Sequence, residues 1–458
     1  MNFTELRAQY PTFTYHGYTV RTAADALEIE YDFSIDGLCG FHPTWRIPCV
    51  PPTNPEQDAA LQRLVFSLGM TELVSYWKIT CSPQVRVLCG ALSQAQTDWW
   101  KRLYFGGLGE FFYRNGIETN FDEFMQISYE GEPISDAPST KKLSGKLIPI
   151  GGGKDSIVTL NLLKNQLSDA SAFQINHRDS SAKAAELAGI PAERVCEVRR
   201  TLDANMLDCN RKGFLNGHTP FSAIVAFSSV LTAYLRGIGM VILSNESSAS
   251  EATVSMSAQE VNHQYSKSYA FEQDFYTYER DFLRVGVQYF SLLRPLTEFQ
   301  IARYFASLPT AFHETFRSCN VGAKQDAWCG HCAKCLFVSV ILSPFLPQSE
   351  IARLLGSDML NMADMEPVLQ ELCGALPNKP FECVGSRTEV NISLCLAIAR
   401  AEKNNEKLPI LLENYKTSPL YEQYRAQAES FGQEWDDAHH LPQELAELVK
   451  RECVAKFA

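Results

Sequence analysis

One segment constrains the fold more than any other: an apolar run at 146–150 leads directly into three consecutive glycines and then into a helical pattern. Consecutive glycines let the backbone turn sharply and bring bare N–H groups close to a ligand. Lys154, Asp155 and Ser156 open the helix behind them, where apolar residues recur at the spacing of one helical face. The order of strand, glycines and helix predicts a site that binds phosphate groups at the helix N-terminus.

The glycine run also suits an ordinary turn between a strand and a helix, which is the simpler interpretation of such a cluster. The residues after it favour a ligand, and neither the G-x-x-x-x-G-K-[ST] nor the G-x-G-x-x-G spacing is present. The segment resembles the S-G-G-x-D-S loop of the PP-loop ATP pyrophosphatases, with a glycine in place of the leading serine. That resemblance implies ATP and Mg²⁺ as ligands, with nucleotide contacts from Gly151, Gly152, Gly153, Lys154, Asp155 and Ser156.

The length of 458 residues predicts two or three domains, because one ordinary core does not extend so far. From Lys146 onward, strand-like and helix-like segments alternate, which predicts an α/β fold with a doubly wound parallel sheet. Residues 130–146 have the composition of a linker. We therefore predict an N-terminal α+β domain over 1–140, a PP-loop domain of the adenine nucleotide alpha hydrolase type over 141–336, and a helical region over 337–458, where no motif indicates chemistry.

Local patterns predict the elements around the glycines. Alternation of apolar and polar residues indicates strands, whereas helical spacing and capping residues indicate helices. The predicted strands are 26–35, 85–88, 170–176, 194–198 and 240–244, and the predicted helices are 57–68, 180–189 and 219–235, the last with Thr219 as its cap and Pro220 in its first position. Aromatic residues crowd the segment from Trp99 to Tyr113, where a packed core is the simpler interpretation and a wall of a substrate pocket is the alternative.

Polar residues follow three of the predicted strands. In a doubly wound sheet, ligands bind beyond the carboxyl ends of the strands, so these segments should converge on one crevice. They are 151–156, 176–179 and 244–246. Glu246, beside Asn245, is placed to bind Mg²⁺ together with the ATP phosphates. His218 is either a polar residue near a helix cap or a phosphate contact.

The charge balance excludes some partners. Lysine and arginine number 41 against 53 aspartate and glutamate residues, and the resulting charge of −12 argues against an extended nucleic-acid surface. No apolar run approaches the ~18 residues that a bilayer span requires, and the first residues lack the pattern of a signal peptide. We therefore expect a cytoplasmic protein without nucleic-acid or membrane partners.

In a chain this acidic, basic residues in polar segments are candidates for binding an anionic substrate. Lys267 lies in the polar segment 262–268, for which a solvated loop is the alternative interpretation. The other basic candidates are Arg199, Arg200, Arg211 and Lys212.

Four of the 14 cysteines fall within seventeen residues, in the pattern Cys319-x9-Cys329-x2-Cys332-x2-Cys335. Zinc accepts four thiolates tetrahedrally, and the C-x2-C spacing lets two sulfurs reach one ion. We predict a structural zinc site, with unliganded thiols or an iron–sulfur centre as the alternatives. The other cysteines are scattered singly, which fits reduced thiols rather than disulfides.

Two families resemble this chain. The cysteine pattern after a PP-loop segment is similar to the zinc site of 7-cyano-7-deazaguanine synthases, in which an Arg-Pro-Leu segment like Leu293–Leu296 also precedes the cysteines, but this resemblance covers only the middle of the chain. The whole chain resembles the UDP-N-acetylmuramoyl-L-alanyl-L-glutamate epimerase family of bacterial peptidoglycan synthesis. The matching segments, in order, are Ser75-Tyr-Trp-Lys78, Gly107-Leu-Gly-Glu110-Phe, Gly151–Ser156, Ser244-Asn-Glu246, Asn262–Ser268 and the four cysteines.

The epimerase resemblance implies an isomerase that acts on a UDP-linked muramoyl dipeptide and splits ATP into AMP and pyrophosphate. A carboxylate resists a second negative charge at its Cα, and adenylation removes that obstacle, so that a base can take the Cα proton. Lys154, beside Asp155, would offset charge on the leaving pyrophosphate together with Mg²⁺. The candidates for moving the proton are His263, Lys267, Cys209 and His218, whose pKa values lie near neutrality or are tunable toward it.

Two other functions stay open at this point. A ligase that modifies a nucleobase carboxylate, like the deazaguanine synthases, would consume ATP with a deazapurine substrate and not with a muramoyl dipeptide. A nucleotide-binding module without enzymatic activity would bind ATP and release no pyrophosphate.

Overall fold

The computed structural model describes residues 2–250, 254–256, 259–261 and 265–457. Within these residues, one 11-stranded sheet runs through the N-terminal and middle parts of the chain, and most of its strand pairings are parallel. Helices cover the sheet and form the C-terminal part. In the described part, no helix combines the length and the apolar composition of a bilayer-spanning segment. The fold is mixed α/β, as the sequence predicts.

The N-terminal part consists of strands backed by helices. Its elements are α1 (Phe3–Gln9), β1 (Thr12–Thr22), β2 (Ala26–Ile35), β3 (Cys39–Phe41), β4 (Thr44–Pro48), α2 (Ala59–Trp77), β5 (Gln84–Val87), α3 (Gln94–Gly107), α4 (Gly109–Arg114) and β6 (Gln126–Tyr129). The predicted alternation in β2 is confirmed, because its apolar residues are buried and most residues between them are partly exposed. Helix α2 begins after Asp58, whose carboxylate accepts a hydrogen bond from the backbone N–H of Leu61 at 3.0 Å, and it extends well beyond the predicted end at residue 68.

The aromatic residues around Trp99 belong to the core, as the simpler interpretation of their segment predicted. The indole rings of Trp99 and Trp100 are buried in α3. The Trp100 ring lies 5.1 Å from the Phe227 ring, and the Trp99 ring lies 4.3 Å from the Tyr278 ring. These contacts join the N-terminal part to helices of the middle part, so the two parts share one core.

The middle part alternates strands and helices. Its elements are β7 (Lys146–Pro149), α5 (Lys154–Leu162), β8 (Ala170–Ile175), α6 (Asp179–Leu187), β9 (Val195–Thr201), α7 (Ala204–Arg211), α8 (Phe221–Arg236), β10 (Met240–Leu243), β11 (Val254–Met256), β12 (Gln259–Val261), α9 (Tyr269–Tyr278) and β13 (Gln288–Ser291). Strands β11 and β12 form a separate antiparallel pair.

Five parallel strands of this part are arranged in the order of a doubly wound sheet. From one edge they run β13, β10, β7, β8 and β9, so the chain proceeds from β7 to β9 and then returns to the other side of β7. The order reverses between β7 and β10, and the carboxyl ends of these strands therefore border a crevice. Both faces of the sheet are covered: Leu147 and Val241 belong to the core that contains α8, whereas Ile148 and Ile242 belong to the core that contains α5. The assignment of this sheet to the PP-loop fold stays a prediction.

The sheet continues across the predicted domain boundary at residue 140. Strands β4 and β9 pair in antiparallel fashion, with Thr44 opposite Thr201 and Arg46 opposite Arg199. This pairing joins the N-terminal strands to the parallel strands. The division into domains at 140 and 336 stays a prediction.

The C-terminal part is helical, as predicted. Its helices are α10 (Glu298–Ala306), α11 (Thr310–Thr315), α12 (Ala333–Leu342), α13 (Gln348–Leu355), α14 (Glu366–Cys373), α15 (Arg387–Lys403), α16 (Ile410–Lys416), α17 (Pro419–Ala428) and α18 (Gln443–Cys453). Their apolar faces join α5 and one face of the parallel strands in a second core. The C-terminal helices are therefore packed directly behind the glycine loop.

The predicted start of α8 is wrong by one residue. The helix begins at Phe221, with Pro220 in the cap position, and the Thr219 side chain does not cap it. The Thr219 hydroxyl oxygen instead accepts a hydrogen bond from Lys78 Nζ at 2.6 Å. The local pattern assigned the Thr219 hydroxyl to capping the helix. In the structure this hydroxyl instead makes a long-range hydrogen bond with Lys78, the residue directly after α2.

Candidate active site

A cavity of about 420 Å³ opens at the carboxyl ends of β7 and β10, where the strand order reverses. All three segments predicted to converge contribute to its lining. Its lining includes Gly151, Gly153, Asp155, Ser156, Arg178, Ser244, Asn245, Lys267, Arg317, Lys334 and Cys383. The structure thus brings the glycine loop, the end of β10 and a polar segment after residue 264 to one place.

The glycine loop has a conformation that other residues would strain. Gly152 has a φ of +78°, and a Cβ atom at this position would lie 2.2 Å from Ser180 Oγ. Its carbonyl accepts a hydrogen bond from the backbone N–H of Arg317 at 2.7 Å, which fixes the turn. Gly153 is the N-cap residue of α5, and no side chain of the described residues caps this helix. The first N–H groups of α5 therefore remain for an anion in the cavity.

Lys154 turns away from the cavity. Its ammonium is buried and donates hydrogen bonds to the carboxylates of Asp155 and Glu298. Burial would lower the pKa of Lys154, but the two carboxylates outweigh it, and the pKa lies above its ordinary value. The predicted contact of Lys154 with pyrophosphate stays a prediction, while in the structure this side chain holds Asp155 at the cavity wall.

Three carboxylates crowd this region. Burial, followed by repulsion from Asp155, raises the pKa of Glu246. Burial also raises the pKa of Glu298 to about 7, against the attraction of Lys154 and with added repulsion from Asp155 and Glu246. For Asp155, burial acts in the same direction, but Lys154 and Lys334 outweigh it and the pKa is lowered. The group therefore keeps Asp155 ionised, and Glu298 takes up a proton near neutral pH.

Two further ammonium groups complete what we call the charge cluster: Lys154, Asp155, Glu246, Lys267, Glu298 and Lys334. Lys267 Nζ donates a hydrogen bond to Cys383 Sγ at 3.1 Å, and Lys334 Nζ donates one to the Cys383 carbonyl. The Cys383 sulfur is the main cause that raises the pKa of Lys267; burial opposes it and Glu246 adds to it. Lys267 is therefore an ammonium ion at neutral pH, at the wall of the cavity.

Arg294 holds the cluster together. Its guanidinium is buried, and it donates hydrogen bonds to the carbonyls of Glu246 and Lys267, each at 2.7 Å. The Glu272 carboxylate accepts from the same guanidinium at 2.9 Å and balances its charge. Sequence reasoning noted the segment Leu293–Leu296 only as a family resemblance, although a charged residue within a buried apolar run was a usable signal.

Other predicted residues lie elsewhere. His218 Nδ1 is 3.3 Å from Glu110 Oε2, beside the start of α8, and His218 is not among the residues that line the cavity. The Arg200 guanidinium is paired with the buried Glu72 carboxylate at 2.7 Å. His263 lies outside the described residues.

The remaining basic candidates and Cys209 lie in β9, in α7 or directly after α7. Arg211 and Lys212 both pair with Asp208, at 2.9 and 2.8 Å. Arg199 is exposed, with Nε 3.6 Å from Glu197 Oε1. Cys209 faces Cys39, away from the cavity.

The four predicted cysteines form a compact cluster in which all sulfurs lie within 4.8 Å of one another. The Sγ–Sγ distances are 3.8 Å for Cys319–Cys332, 3.8 Å for Cys329–Cys335 and 3.5 Å for Cys332–Cys335. Tetrahedral zinc with bonds of ~2.3 Å separates its sulfurs by about 3.8 Å, so this donor set fits zinc. Backbone N–H groups of Gly322 and Cys329 point at Cys319 Sγ, as suits a thiolate. The cluster can hold a metal such as zinc, and each of the 14 cysteines is a free thiol in the structure.

Comparison with known proteins gives one family. The family models described as MurL N-terminal domain and MurL C-terminal domain match residues 4–292 and 313–428. A protein of Xanthomonas oryzae pv. oryzae is 33% identical over 349 residues, which cover 75% of this chain and 76% of that protein. A protein of Salinispora tropica is 34% identical over 397 residues, which cover 84% of each chain.

A third relative, from a Micromonospora species, is 32% identical over 396 residues, which cover 84% of this chain and 86% of that protein. All three relatives carry the name UDP-N-acetyl-alpha-D-muramoyl-L-alanyl-L-glutamate epimerase. No solved structure matches the chain significantly.

Proposed function

The chain belongs to the MurL epimerase family, and on that premise we propose that it converts the terminal L-glutamate of UDP-N-acetylmuramoyl-L-alanyl-L-glutamate to D-glutamate. The enzyme is an isomerase of peptidoglycan precursor synthesis. It consumes ATP and releases AMP and pyrophosphate, because an acyl-adenylate of the glutamyl carboxylate is the species that loses its Cα proton.

One observation carries this proposal: the cavity at the strand reversal joins a phosphate-type loop to buried ammonium groups. The glycine loop and the uncapped start of α5 suit the phosphates of ATP. Lys267 and Lys334 line the same cavity and suit the carboxylate that ATP activates. A single cavity therefore offers a place for both reactants.

These positions support the following reaction. A carboxylate oxygen of the terminal glutamate attacks the α-phosphorus of ATP, forming the acyl-adenylate as pyrophosphate leaves. The adenylated carbonyl carries no negative charge, so the Cα–H bond is more acidic than in the free carboxylate. A base takes the Cα proton, a proton returns on the opposite face, and water cleaves the acyl-adenylate to AMP and the D-glutamyl product.

Several residues have defined tasks in this scheme. Asp155 and Glu246 are the carboxylates that would hold Mg²⁺, whose charge offsets that of the ATP phosphates. Lys154, tied to Glu298, positions Asp155 from behind. The four cysteines would hold a structural zinc ion that fixes the segment 319–335, from which Lys334 reaches the cavity.

Solvent-deuterium exchange tests the proposal. In D₂O, the protein with ATP, Mg²⁺ and the UDP-linked muramoyl dipeptide should release AMP and place deuterium at Cα of the terminal glutamate, and both results should require ATP. AMP release with a deazapurine carboxylate and not with the dipeptide would instead establish the ligase. ATP binding without AMP release under either condition would leave a nucleotide-binding module.

A further inference from the structure

Cys383 is a cavity residue for which sequence reasoning found no role. It lies in the loop between α14 and α15, far in sequence from the glycine loop, and it lines the cavity together with Gly151 and Asp155. Lys267 Nζ donates to its sulfur at 3.1 Å. The sulfur is therefore a polarised nucleophilic atom at the wall that faces the proposed substrate.

Contacts on both sides hold this cysteine in place. Lys334 Nζ donates to the carbonyl of Cys383, and Asn320 Nδ2 donates to the carboxylate of the neighbouring Glu382. On the other side, the Phe381 ring lies 5.1 Å from the Tyr113 ring. Asn320 and Lys334 both belong to the segment that carries the four cysteines, so that segment sets the position of the Cys383 sulfur.

The chemistry of the epimerase reaction needs a base, and among the described residues the charged neighbours of Cys383 in the cavity are poorly suited to that task. A base must approach Cα closely and be unprotonated before the step. Lys267 is protonated, and Asp155 is a weak base because its pKa is lowered, chiefly by Lys154 and Lys334 against the effect of burial. Cys319 belongs to the cysteine cluster. The Cys383 sulfur lies at the cavity wall and accepts a hydrogen bond from the Lys267 ammonium, and cysteine is one of the side chains that serve as general bases.

We infer that Cys383 is the catalytic base that removes the Cα proton of the adenylated glutamyl group, with Lys267, whose ammonium donates a hydrogen bond to the Cys383 sulfur, as its positioning residue. This inference rests on the proposed function. In the step, the Cα–H bond breaks and an S–H bond forms at Cys383. The electron pair of the C–H bond becomes the Cα=C bond of an enolate, and the π pair of the carbonyl moves to its oxygen. Water on the opposite face returns a proton to Cα, and the Cys383 thiol gives its proton to solvent.

The experiment separates adenylation from proton transfer. Wild type, Cys383→Ser and Cys89→Ser are each incubated in D₂O with ATP, Mg²⁺ and the UDP-linked muramoyl dipeptide, and AMP and Cα deuterium are measured together. Serine keeps the size and the hydrogen bond but is a far weaker base. We expect Cys383→Ser to release AMP within about threefold of wild type and to lose Cα exchange by about 100-fold or more. Cys89 is a half-buried thiol outside the cavity, so Cys89→Ser should leave both AMP release and Cα exchange unchanged.

Each other outcome overturns the inference in a recognisable way. Undiminished Cα exchange in Cys383→Ser would show that another group takes the proton. Loss of AMP release along with exchange would assign Cys383 to binding or to folding, which circular dichroism distinguishes. Absence of AMP release in wild type would overturn the proposed function itself.

A second measurement addresses the role of Lys267 without relying on turnover. Alkylation by iodoacetamide reports the thiolate, and mass spectrometry of the peptide that contains residue 383 gives its rate. Lys267→Met should slow this labelling by about tenfold, since the ammonium beside the sulfur is lost. An unchanged or faster rate would remove Lys267 from the assignment.

Discussion

Two clusters of reactive side chains lie at the same end of the parallel sheet, and they are built in opposite ways. The cysteine cluster comes from one segment of seventeen residues, with fixed spacings between its members. The charge cluster gathers residues from β-strand ends, helix starts and a loop that are spread from residue 154 to residue 334. The cysteine cluster is therefore built from residues close in sequence, whereas the charge cluster forms only when distant parts of the chain have folded together.

The difference separates their tasks. Asp155, Lys267 and Lys334 of the charge cluster line the cavity where we propose that the reactants bind, so we expect changes in this cluster to affect turnover. The cysteine cluster reaches the cavity wall through Cys319, and we expect it to act by placing Asn320 and Lys334. The distinction between the two clusters would fail if a variant of the cysteine cluster lowered turnover as much as a variant of the charge cluster. It would be sharpened if each variant affected only the property assigned to its own cluster.

The largest effect is expected at Asp155. Asp155→Ala removes the ionised carboxylate at the start of α5 and should lower AMP release by at least about 1000-fold, while Lys154 keeps Glu298 as a partner and the protein stays folded. AMP release and circular dichroism measure the two effects. Asp169→Ala, which removes an exposed carboxylate paired with Lys146, serves as the control. Undiminished AMP release in Asp155→Ala would contradict the role of the glycine loop.

Lys154→Met should give the next effect, on stability. The variant leaves the buried Glu298 carboxylate without its ammonium partner, so the free energy of unfolding at pH 8 should fall by about 3 kcal/mol. Glu298 has a folded-state pKa of about 7, above the ordinary 4.5, so it is protonated in the folded protein at pH 5 and the loss should be smaller there. Urea unfolding at both pH values tests this, with exposed Lys164→Met as the control. An equal loss at both pH values would show that Glu298 does not take up the proton.

Disruption of the cysteine cluster should have a smaller effect on turnover than Asp155→Ala. Cys332→Ser should abolish zinc binding, and AMP release should fall by about tenfold because the supports of Lys334 and Cys383 are loosened. Metal analysis of freshly purified protein gives the zinc content, and Cys39→Ser should leave it unchanged. A wild-type protein without zinc would contradict the assignment of the metal.

The smallest effect is expected outside both clusters. Ser93 caps α3 through a hydrogen bond from the backbone N–H of Gln96 at 3.2 Å. Ser93→Ala should lower the free energy of unfolding by about 1 kcal/mol without changing AMP release, and Ser93→Thr should retain most of the stability. A change in AMP release would show that stability alone affects the cavity, and the larger effects would then need correction for it.

The sequence predicted the parts whose signals are local. The four cysteines, the glycine loop and the strand over 26–35 each depend on near neighbours, and the structure places them as expected. It did not predict Glu298, Lys334 or Cys383, because burial and long-range contacts give these residues their partners. Lys334 lies between two cysteines of the cluster, and the metal-site pattern of those cysteines gave no indication of a separate role for it. Cys383 has no neighbouring cysteine or motif that distinguishes it from the other single cysteines. The pairing of β4 with β9 was missed for the same reason, since pairing between distant strands has no local signature.

The transfer of an oxygen atom from substrate to AMP tests the central claim most directly. The UDP-linked muramoyl dipeptide is labelled with ¹⁸O in the α-carboxylate of its terminal glutamate and incubated with the protein, ATP and Mg²⁺. If that carboxylate attacks the α-phosphorus and water then attacks the acyl carbon, mass spectrometry will find ¹⁸O in the phosphate of the AMP. AMP released without ¹⁸O would contradict this route, because water would then have attacked phosphorus and not the acyl carbon.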